Sequence, residues 1–437
     1  MSVSPARLAA FSILRKVEAG AFSSVLLAAK ESELQPLDRA LSHELVLGVL
    51  RWQLYLDKII EHFTRRKVKS LDLPVLLILR LGVYQLRFLS RVPASAVVND
   101  AVNLVGLVRL SSAKAFVNAV LRRATREPNY DPVAGISTDV ERLAIQASHP
   151  EWLIERWSHA FGLEMAEEFA RANNETPPTA IRVVRRRDDE SEILARIGNA
   201  GGVVQASQLA TGAWRVAGAV PLIRELVASG KIYVQDEASQ LVANSVEVQK
   251  GDRVLDVCAA PGGKTTQIAD CADNGAFVGA ADLSLPRLTI VRESARRQHL
   301  NSVRLVQLDA TGSLPFASNC FDRVLVDAPC SGTGTLRRNP EIRWRITPED
   351  IQILSNRQRV ILDNAARVLR SGGRLVYSTC SVEPEENEQV VESFLNRHSE
   401  FRRAPIRSLS DSPSDALRTW PHRDGADGFF MAALEKE

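Results

Sequence analysis

The sequence predicts a multidomain chain: an all-α bundle at the amino end, a small α+β connector, and a carboxy-terminal α/β domain on a doubly wound parallel sheet. Three observations carry this. Over residues 5–125 apolar side chains recur at helical spacing, as in "ARLAAFSILRKVEAGAFSSVLLAAK" and "LSHELVLGVLRWQLYLDKIIEHF". From about residue 241 short, β-rich apolar runs alternate with helical stretches, the pattern of a parallel sheet covered on both faces. Between them, residues 140–240 mix the two patterns.

In the first part, "LPVLLILRLGVYQLRFL" (73–89) is apolar all round and is expected as the central helix, with Pro74 suited to a first helical turn. "VPASAVVNDAVNLV" and "AKAFVNAVLRRA" predict two more helices. The bundle, residues 1–130, should end near Arg126, where "TREPNYDPVAGIST" supplies turn formers. In the connector, 140–240, "SHPEWLIERWSHAFG" reads as a helix, "TPPTAIRVV" leads into a strand, and "KIYVQDEASQLVANSV" reads as strand, turn and helix. In the last domain, 241–437, strands are expected at 253–258, 276–282, 303–309, 322–328 and 373–379. "GFFMAALEK" is expected as a further strand at the sheet's edge.

Composition narrows the classes. The chain has 437 residues, 45% hydrophobic and 24% charged, which describes folded domains rather than disorder. No apolar run approaches the roughly 18–20 residues of a membrane span, so no membrane partner is expected. Arg15 and Lys16 break the first apolar stretch, which therefore reads as a helix rather than a signal peptide, and a cytoplasmic protein is expected. Five cysteines, with no C-x-x-C and no Cys/His cluster, argue against a disulfide framework and against a metal site. A monomer is expected. The net charge of +3 is uneven: residues 1–140 hold 19 Lys and Arg against 12 Asp and Glu, and the remainder 36 against 40. A surplus of seven positive charges at the front points to an anionic partner there.

The chemistry is carried by "VLDVCAAPGGKTTQIAD" (254–270). Gly263, Lys264 and Thr265 fit the end of a phosphate-binding G-x-x-x-x-G-K-[ST] loop, but its first glycine falls on Cys258, which speaks against an NTPase. A dinucleotide G-x-G-x-x-G is absent as well. What remains is a strand, a Pro-Gly-Gly turn and a helix, which brings backbone N–H groups and a helix N-terminus to a negatively charged ligand group. Asp282 closes the second strand, 19 residues after Gly263, near the spacing at which such folds place a ribose-hydroxyl acceptor. Asp309 closes the third strand, where it could accept an adenine amino proton. A nucleoside with a carboxylate-bearing tail and no phosphates suits this set, and S-adenosyl-L-methionine is such a ligand.

Two cysteines stand at later strand ends. "VLVDAPCSGTGTLRRNPEIRW" puts Asp327 and Cys330 just beyond the fourth strand, and "GGRLVYSTCSVEPEENEQVV" puts Cys380 just beyond the fifth. If those strands are neighbours, both thiols face one crevice beside the cofactor. A thiol beside a methyl donor suits methylation of a pyrimidine at C5: a thiolate adding to C6 makes C5 nucleophilic, and elimination follows methyl transfer. The base must be unstacked for this. Arg337, Arg338, Arg343 and Arg345, with Trp344 among them, suit phosphate contacts and base stacking.

At "VLDVCAAPGGKT", "VQDEASQL", "DAPCSGTGTLRRNPEIRW", "YSTCSVEPEENEQVV" and "DGFFMAAL" the chain resembles the RNA (cytosine-5)-methyltransferases of the NOL/NOP/Sun family. "SRVPASAVVNDAVNL" and "KAFVNAVLRR" resemble a NusB-like RNA-binding domain. The resemblance implies a Rossmann-like methyltransferase domain, Cys380 as the nucleophile and Cys330 as the thiol that assists release of the methylated RNA. It implies cofactor contacts from Cys258, Ala259, Ala260, Pro261, Gly262, Gly263, Lys264, Asp282, Asp309 and Asp327, the last also touching the pyrimidine. With the NusB-like extension it implies small-subunit (16S) ribosomal RNA as the partner.

Overall fold

The computed structural model describes residues 3–30, 33–185, 189–409 and 414–437. They divide into two compact units, Met1–Thr176 with Leu336–Arg345, and Pro177–Thr335 with Ile346–Glu437.

The first unit is helical: α1 (Pro5–Glu18), α2 (Ser23–Lys30), α3 (Pro36–Arg51), α4 (Gln53–Thr64), α5 (Leu73–Phe88), α6 (Ala94–Leu107), α7 (Lys114–Arg126), α8 (Asp139–Gln146), α9 (Glu151–Phe161) and α10 (Leu163–Ala172). Proline stands in the first turn of α1, α3 and α5, where its missing N–H costs nothing. As its sequence predicts, α5 is enclosed: every residue from Val75 to Gln85 is buried. It packs against α3, α4, α6 and α7 around a core that includes Phe11, Leu45, Ile59 and Leu121. Arg80, on this buried helix, is matched by Asp57 in a two-pronged contact at 2.7 and 2.8 Å.

The second unit opens with β1 (Thr179–Val183), α11 (Glu190–Asn199), β2 (Val203–Ala206), β3 (Ala213–Ala217), α12 (Val220–Ala228) and β4 (Ile232–Val234), an antiparallel sheet of order β2-β3-β1-β4. After α13 (Glu237–Ser245) come β5 (Arg253–Asp256), α14 (Gly263–Cys271), β6 (Phe277–Asp282), α15 (Leu285–Arg297), β7 (Val303–Gln307) and β8 (Phe321–Asp327). The chain then contributes Leu336–Arg345, with the short α16 (Ile342–Arg345), to the first unit. It returns as α17 (Pro348–Val368), β9 (Leu369–Thr379), α18 (Glu388–Arg397), β10 (Phe401–Ala404), β11 (Ala416–Arg418), α19 (Pro421–Asp424) and β12 (Phe430–Lys436). Thr347 and Asp350 close a reciprocal capping box that starts α17.

The large sheet runs β10-β12-β9-β8-β5-β6-β7, with β11 also on β12. Strands β5 to β9 are parallel. The sheet grows outward from β5 through β6 and β7, then restarts on β5's other side with β8 and β9. This is a Rossmann-like, doubly wound order whose switch point lies between β5 and β8. One sequence expectation is corrected. "GFFMAALEK" does not form the edge: β12 lies between β9 and the short strands β10 and β11. Those strands, "FRRA" and "ALR", are too short and too charged to register as apolar periodicity.

Candidate active site

At the switch point, the carboxyl ends of β5, β6, β8 and β9 surround a cleft of about 430 Å3. Cys258, Ala260, Asp282, Asp309, Asp327 and Cys330 line it, and Cys380 joins them at one end. Strands β8 and β9 are register neighbours, Asp327 opposite Ser378, so both cysteine turns leave the same edge side by side. The two Sγ atoms are 3.4 Å apart.

The glycine loop is built for close approach. Gly262 has φ +105°, and a Cβ there would meet the Val291 backbone at 3.1 Å, so a side chain is excluded twice over. The Ala260–Pro261 peptide bond is cis. Ala259 is buried and its N–H donates to Ala281 O at 2.8 Å, tying β5 to β6 rather than facing the cleft. Asp282 is buried and aimed: its two oxygens accept from Ala260 N (3.1 Å) and Ser284 N (2.9 Å). Asp309 is exposed and accepts from Thr311 N (2.9 Å) and Thr311 Oγ1 (2.7 Å), bonds that hold its carboxyl below the usual range.

Lys264 turns from the start of α14 to Asp327, Nζ to Oδ2 2.7 Å, and lies 5.0 Å from the centre of the Phe429 ring. Ser378 Oγ donates to the other Asp327 oxygen at 2.8 Å. Burial works against the Lys264 ammonium, but Asp327 foremost, with Cys380 and Asp256, more than offsets it and raises its pKa. Cys330 is pushed well above the ordinary thiol range, first by its hydrogen bond to Cys380, then by burial and by the charges of Cys380, Glu386 and Asp327. Cys330 therefore keeps its proton. Burial also raises the Cys258 thiol, reinforced by Asp256, Asp327 and Asp282, which leaves it inert beside the cleft.

Sequence reading missed several residues here. Asp256, at the end of β5, is buried, accepts from Thr265 Oγ1 at 2.6 Å, and has its pKa pushed up to about 7 by burial. Arg287 reaches from α15 to Ala260 O at 2.7 Å and lines the cleft, as does Arg357 of α17. Neither arginine belongs to a recognisable motif. Gly334 of the "SGTGT" turn is explained by contact: a Cβ would fall 1.9 Å from Gly428 O, while Gly428 N donates to Gly334 O at 2.8 Å.

The arginine cluster after the Pro-Cys turn is a correction. Arg343 is fully buried in the first unit, where it donates to Ser148 O, Asn173 O and Asn174 Oδ1. Arg345 donates to Val17 O and Ala21 O, both at 2.6 Å, and Trp344 Nε1 to Leu50 O at 2.8 Å. Arg337 is buried and its own carbonyl accepts from Arg51. Arg343 and Trp344 thus serve packing, not phosphates or bases. Among the described residues no group of three or more His, Cys, Asp or Glu could hold a metal ion, and no helix is long and apolar enough to cross a membrane.

The donor set fits a ligand that offers hydroxyls and an amino group to carboxylates: Asp282 and Asp309 on one side of the cleft, apolar Leu283, Leu308 and Ile361 beside them. Fold and cleft define a Rossmann-like methyltransferase whose cofactor is S-adenosylmethionine, preceded by a NusB-like helical domain. Residues 243–435 match the model of the 16S rRNA methyltransferase RsmB/F family, 4–126 the NusB family, and 149–223 the RsmF/B-like ferredoxin-like domain. The ribosomal RNA small subunit methyltransferase B of Pseudomonas putida is 36% identical, with 98% of each chain covered. The crystal structure of PH0851 superposes over 100% of both chains with TM-score 0.86 and 29% identity. NSun6 from Pyrococcus horikoshii, solved with SFG, shares the fold over 66% of this chain and 98% of its own (TM-score 0.59, 23% identity). The chain belongs to the ribosomal RNA small subunit methyltransferase B family.

Proposed function

We propose that the chain methylates C5 of a cytidine in small-subunit (16S) ribosomal RNA through a covalent bond between Cys380 and C6. The observation that carries this reading is the thiol pair, Sγ to Sγ 3.4 Å, at the end of the cofactor cleft beside the Lys264–Asp327 ion pair. Asp282 and Asp309 are proposed to hold the nucleoside part of the cofactor, and the loop from Cys258 to Lys264 to shape its bed. When bound, S-adenosylmethionine supplies an electrophilic methyl group.

The residues divide the remaining work. The Cys380 thiolate forms the S–C6 bond, and the displaced electron pair makes C5 enamine-like. The buried Lys264 ammonium lies close enough to interact with a charge on Cys380. Asp327, fixed by Lys264 and Ser378, offers an acceptor to the cytosine amino group. After methylation a base takes the C5 proton, its electron pair forms the C5–C6 double bond, and the S–C6 bond breaks. Cys330, its sulfur 3.4 Å from the departing sulfur, is placed to assist release.

The partition into a 1–130 NusB-like domain, a 140–240 connector and a 241–437 methyltransferase domain is proposed on the three matched segments. The RNA partner is proposed to meet the basic amino-terminal domain. A cytoplasmic monomer completes the reading.

The test is incubation with labelled S-adenosylmethionine and unmodified small-subunit RNA, then nucleoside analysis. Label should appear in 5-methylcytidine. Cys380→Ala should lower turnover at least about a thousandfold while keeping cofactor affinity, and Cys330→Ala should accumulate an RNA adduct on a denaturing gel. Label in another nucleoside, or normal turnover by Cys380→Ala, would overturn the reading.

A further inference from the structure

Beneath the two thiols lies a buried carboxylate that the chemistry above does not use. Glu386 ends the short turn Pro384–Glu386 between β9 and α18 and is fully buried. It accepts four hydrogen bonds. Oε1 takes Ser331 N and Gln358 Nε2, both at 2.9 Å; Oε2 takes Ser331 Oγ and Ser381 Oγ, both at 2.5 Å. All four donors are neutral. Such a carboxylate is expensive to bury and is kept only where its donors are all in place.

The identity of those donors is informative. Ser331 follows Cys330 and Ser381 follows Cys380. One carboxylate therefore grips the residue after each thiol, and the two serine hydroxyls are 3.0 Å apart. Backbone bonds hold the turns at their bases, where Ala328 N donates to Ser378 O at 2.8 Å, and again where Gly334 N donates to Cys380 O at 2.9 Å. Between those points side chains add to the fixing. Gln358 of α17 donates to Pro329 O at 2.9 Å, and Tyr377 OH donates to Glu386 O at 2.5 Å. The clasp thus reaches both turns, meets the cleft lining only through Pro329 among the described residues, and hydrogen-bonds to none of Asp282, Asp309 and Asp327.

We propose that Glu386 is a positioning residue that sets the separation of Cys330 and Cys380. This rests on the two-thiol reading above. It gives the stretch "EPEENE" a purpose: Glu386 is enclosed, while the glutamates around it vary from buried to partly exposed. The charge also falls unequally, since Glu386 is among the causes that keep Cys330 protonated.

The test measures thiol proximity without RNA or methyl donor. Diamide, which takes two electrons and two protons from a thiol pair, should join Cys330 to Cys380, because 3.4 Å needs little movement to reach the ~2.05 Å of a disulfide. Mass spectrometry reads the product. In Glu386→Ala the rate of this cross-link should fall at least about tenfold. Methylation should lose about a hundredfold in kcat, the scale of a misplacement near 1 Å, with KM for RNA within twofold. Glu386→Gln, which keeps the shape and one acceptor, should recover most of both. Ser381→Ala leaves the carboxylate three donors and tests the clasp if Glu386→Ala does not fold; it should slow the cross-link too. Cross-linking at the wild-type rate in folded Glu386→Ala or in Ser381→Ala would overturn the clasp and leave the two-thiol chemistry standing. A slowed cross-link with unchanged methylation would support the clasp and remove the need for paired thiols in turnover.

Discussion

Residues 327–335 and 336–345 are consecutive in one stretch, "DAPCSGTGTLRRNPEIRWR", and they treat their polar groups in opposite ways. The first stretch stays in the α/β unit and presents Asp327 and Cys330 to a cleft. The second belongs to the helical unit and spends Arg343 and Arg345 largely on backbone carbonyls. Residue type alone does not distinguish a group kept for a ligand from one consumed by the fold. What distinguishes them is whether the fold supplies partners. Arg343 has four or more acceptors around it and its pKa is pushed down to about 9 by burial, then by Arg51. Asp327 keeps an edge on the cleft because, among the described residues, Lys264 and Ser378 alone hydrogen-bond to it.

The substitution that would break this contrast most directly is at Arg343. Arg343→Met removes the charge and keeps most of the volume, leaving Ser148 O, Asn173 O and Asn174 Oδ1 without their donor. The helical unit should lose on the order of 3 kcal/mol in urea denaturation, with cofactor affinity unchanged by calorimetry. A phosphate contact would behave otherwise: normal stability and a shallower dependence of RNA binding on salt. That second pattern would restore the sequence expectation.

The same contrast explains what could be read in advance. The cleft residues were legible because parallel topology places every strand's carboxyl end on one edge, so Asp282, Asp309, Asp327, Cys330 and Cys380 are brought together by fold alone. The enclosed α5 was legible from its unbroken apolar run. The fate of Arg343 and Trp344 was not, because depth depends on contacts distant in sequence: the end of α3, Ser148 before α9, and Asn173 and Asn174 after α10. Glu386 was hidden in an acidic stretch that reads as a solvated turn. The inner place of β12 depended on β10 and β11, strands of four and three residues.

Acid and base should separate the two units next. In the α/β unit, Asp256 titrates near 7 when folded against 3.8 unfolded, so the folded form holds a proton the unfolded form has lost. Its contribution is present below about pH 4 and is lost as pH rises through 7, an effect on the order of 4 kcal/mol. In the helical unit, His149 is held well below 6.5 by burial, then by Arg343. Its stabilisation is present above 6.5 and is lost as pH falls below that value. Hydrogen exchange at pH 5 and pH 8 should therefore show opposite slopes, β5 and α14 weakening at high pH, α8 and α9 at low pH. Asp256→Asn should flatten the first slope only. Parallel slopes in both units would remove the electrostatic side of the comparison.

The smallest effect sharpens the comparison within the cleft itself, between two carboxylates at adjacent strand ends. Asp282 is buried and both its oxygens already accept backbone N–H groups, so its orientation is fixed before any ligand arrives. Asparagine there turns one oxygen into a donor that faces Ala260 N or Ser284 N. Asp282→Asn should weaken cofactor binding about thirtyfold, roughly 2 kcal/mol. Asp309 is exposed and, among the described residues, held through Thr311 alone, so water competes for it and Asp309→Asn should cost no more than about a few-fold. Calorimetry with the cofactor alone reads both. Equal losses would mean that burial does not set the worth of a cleft carboxylate, and that the ligand rather than the fold orders Asp309 on binding.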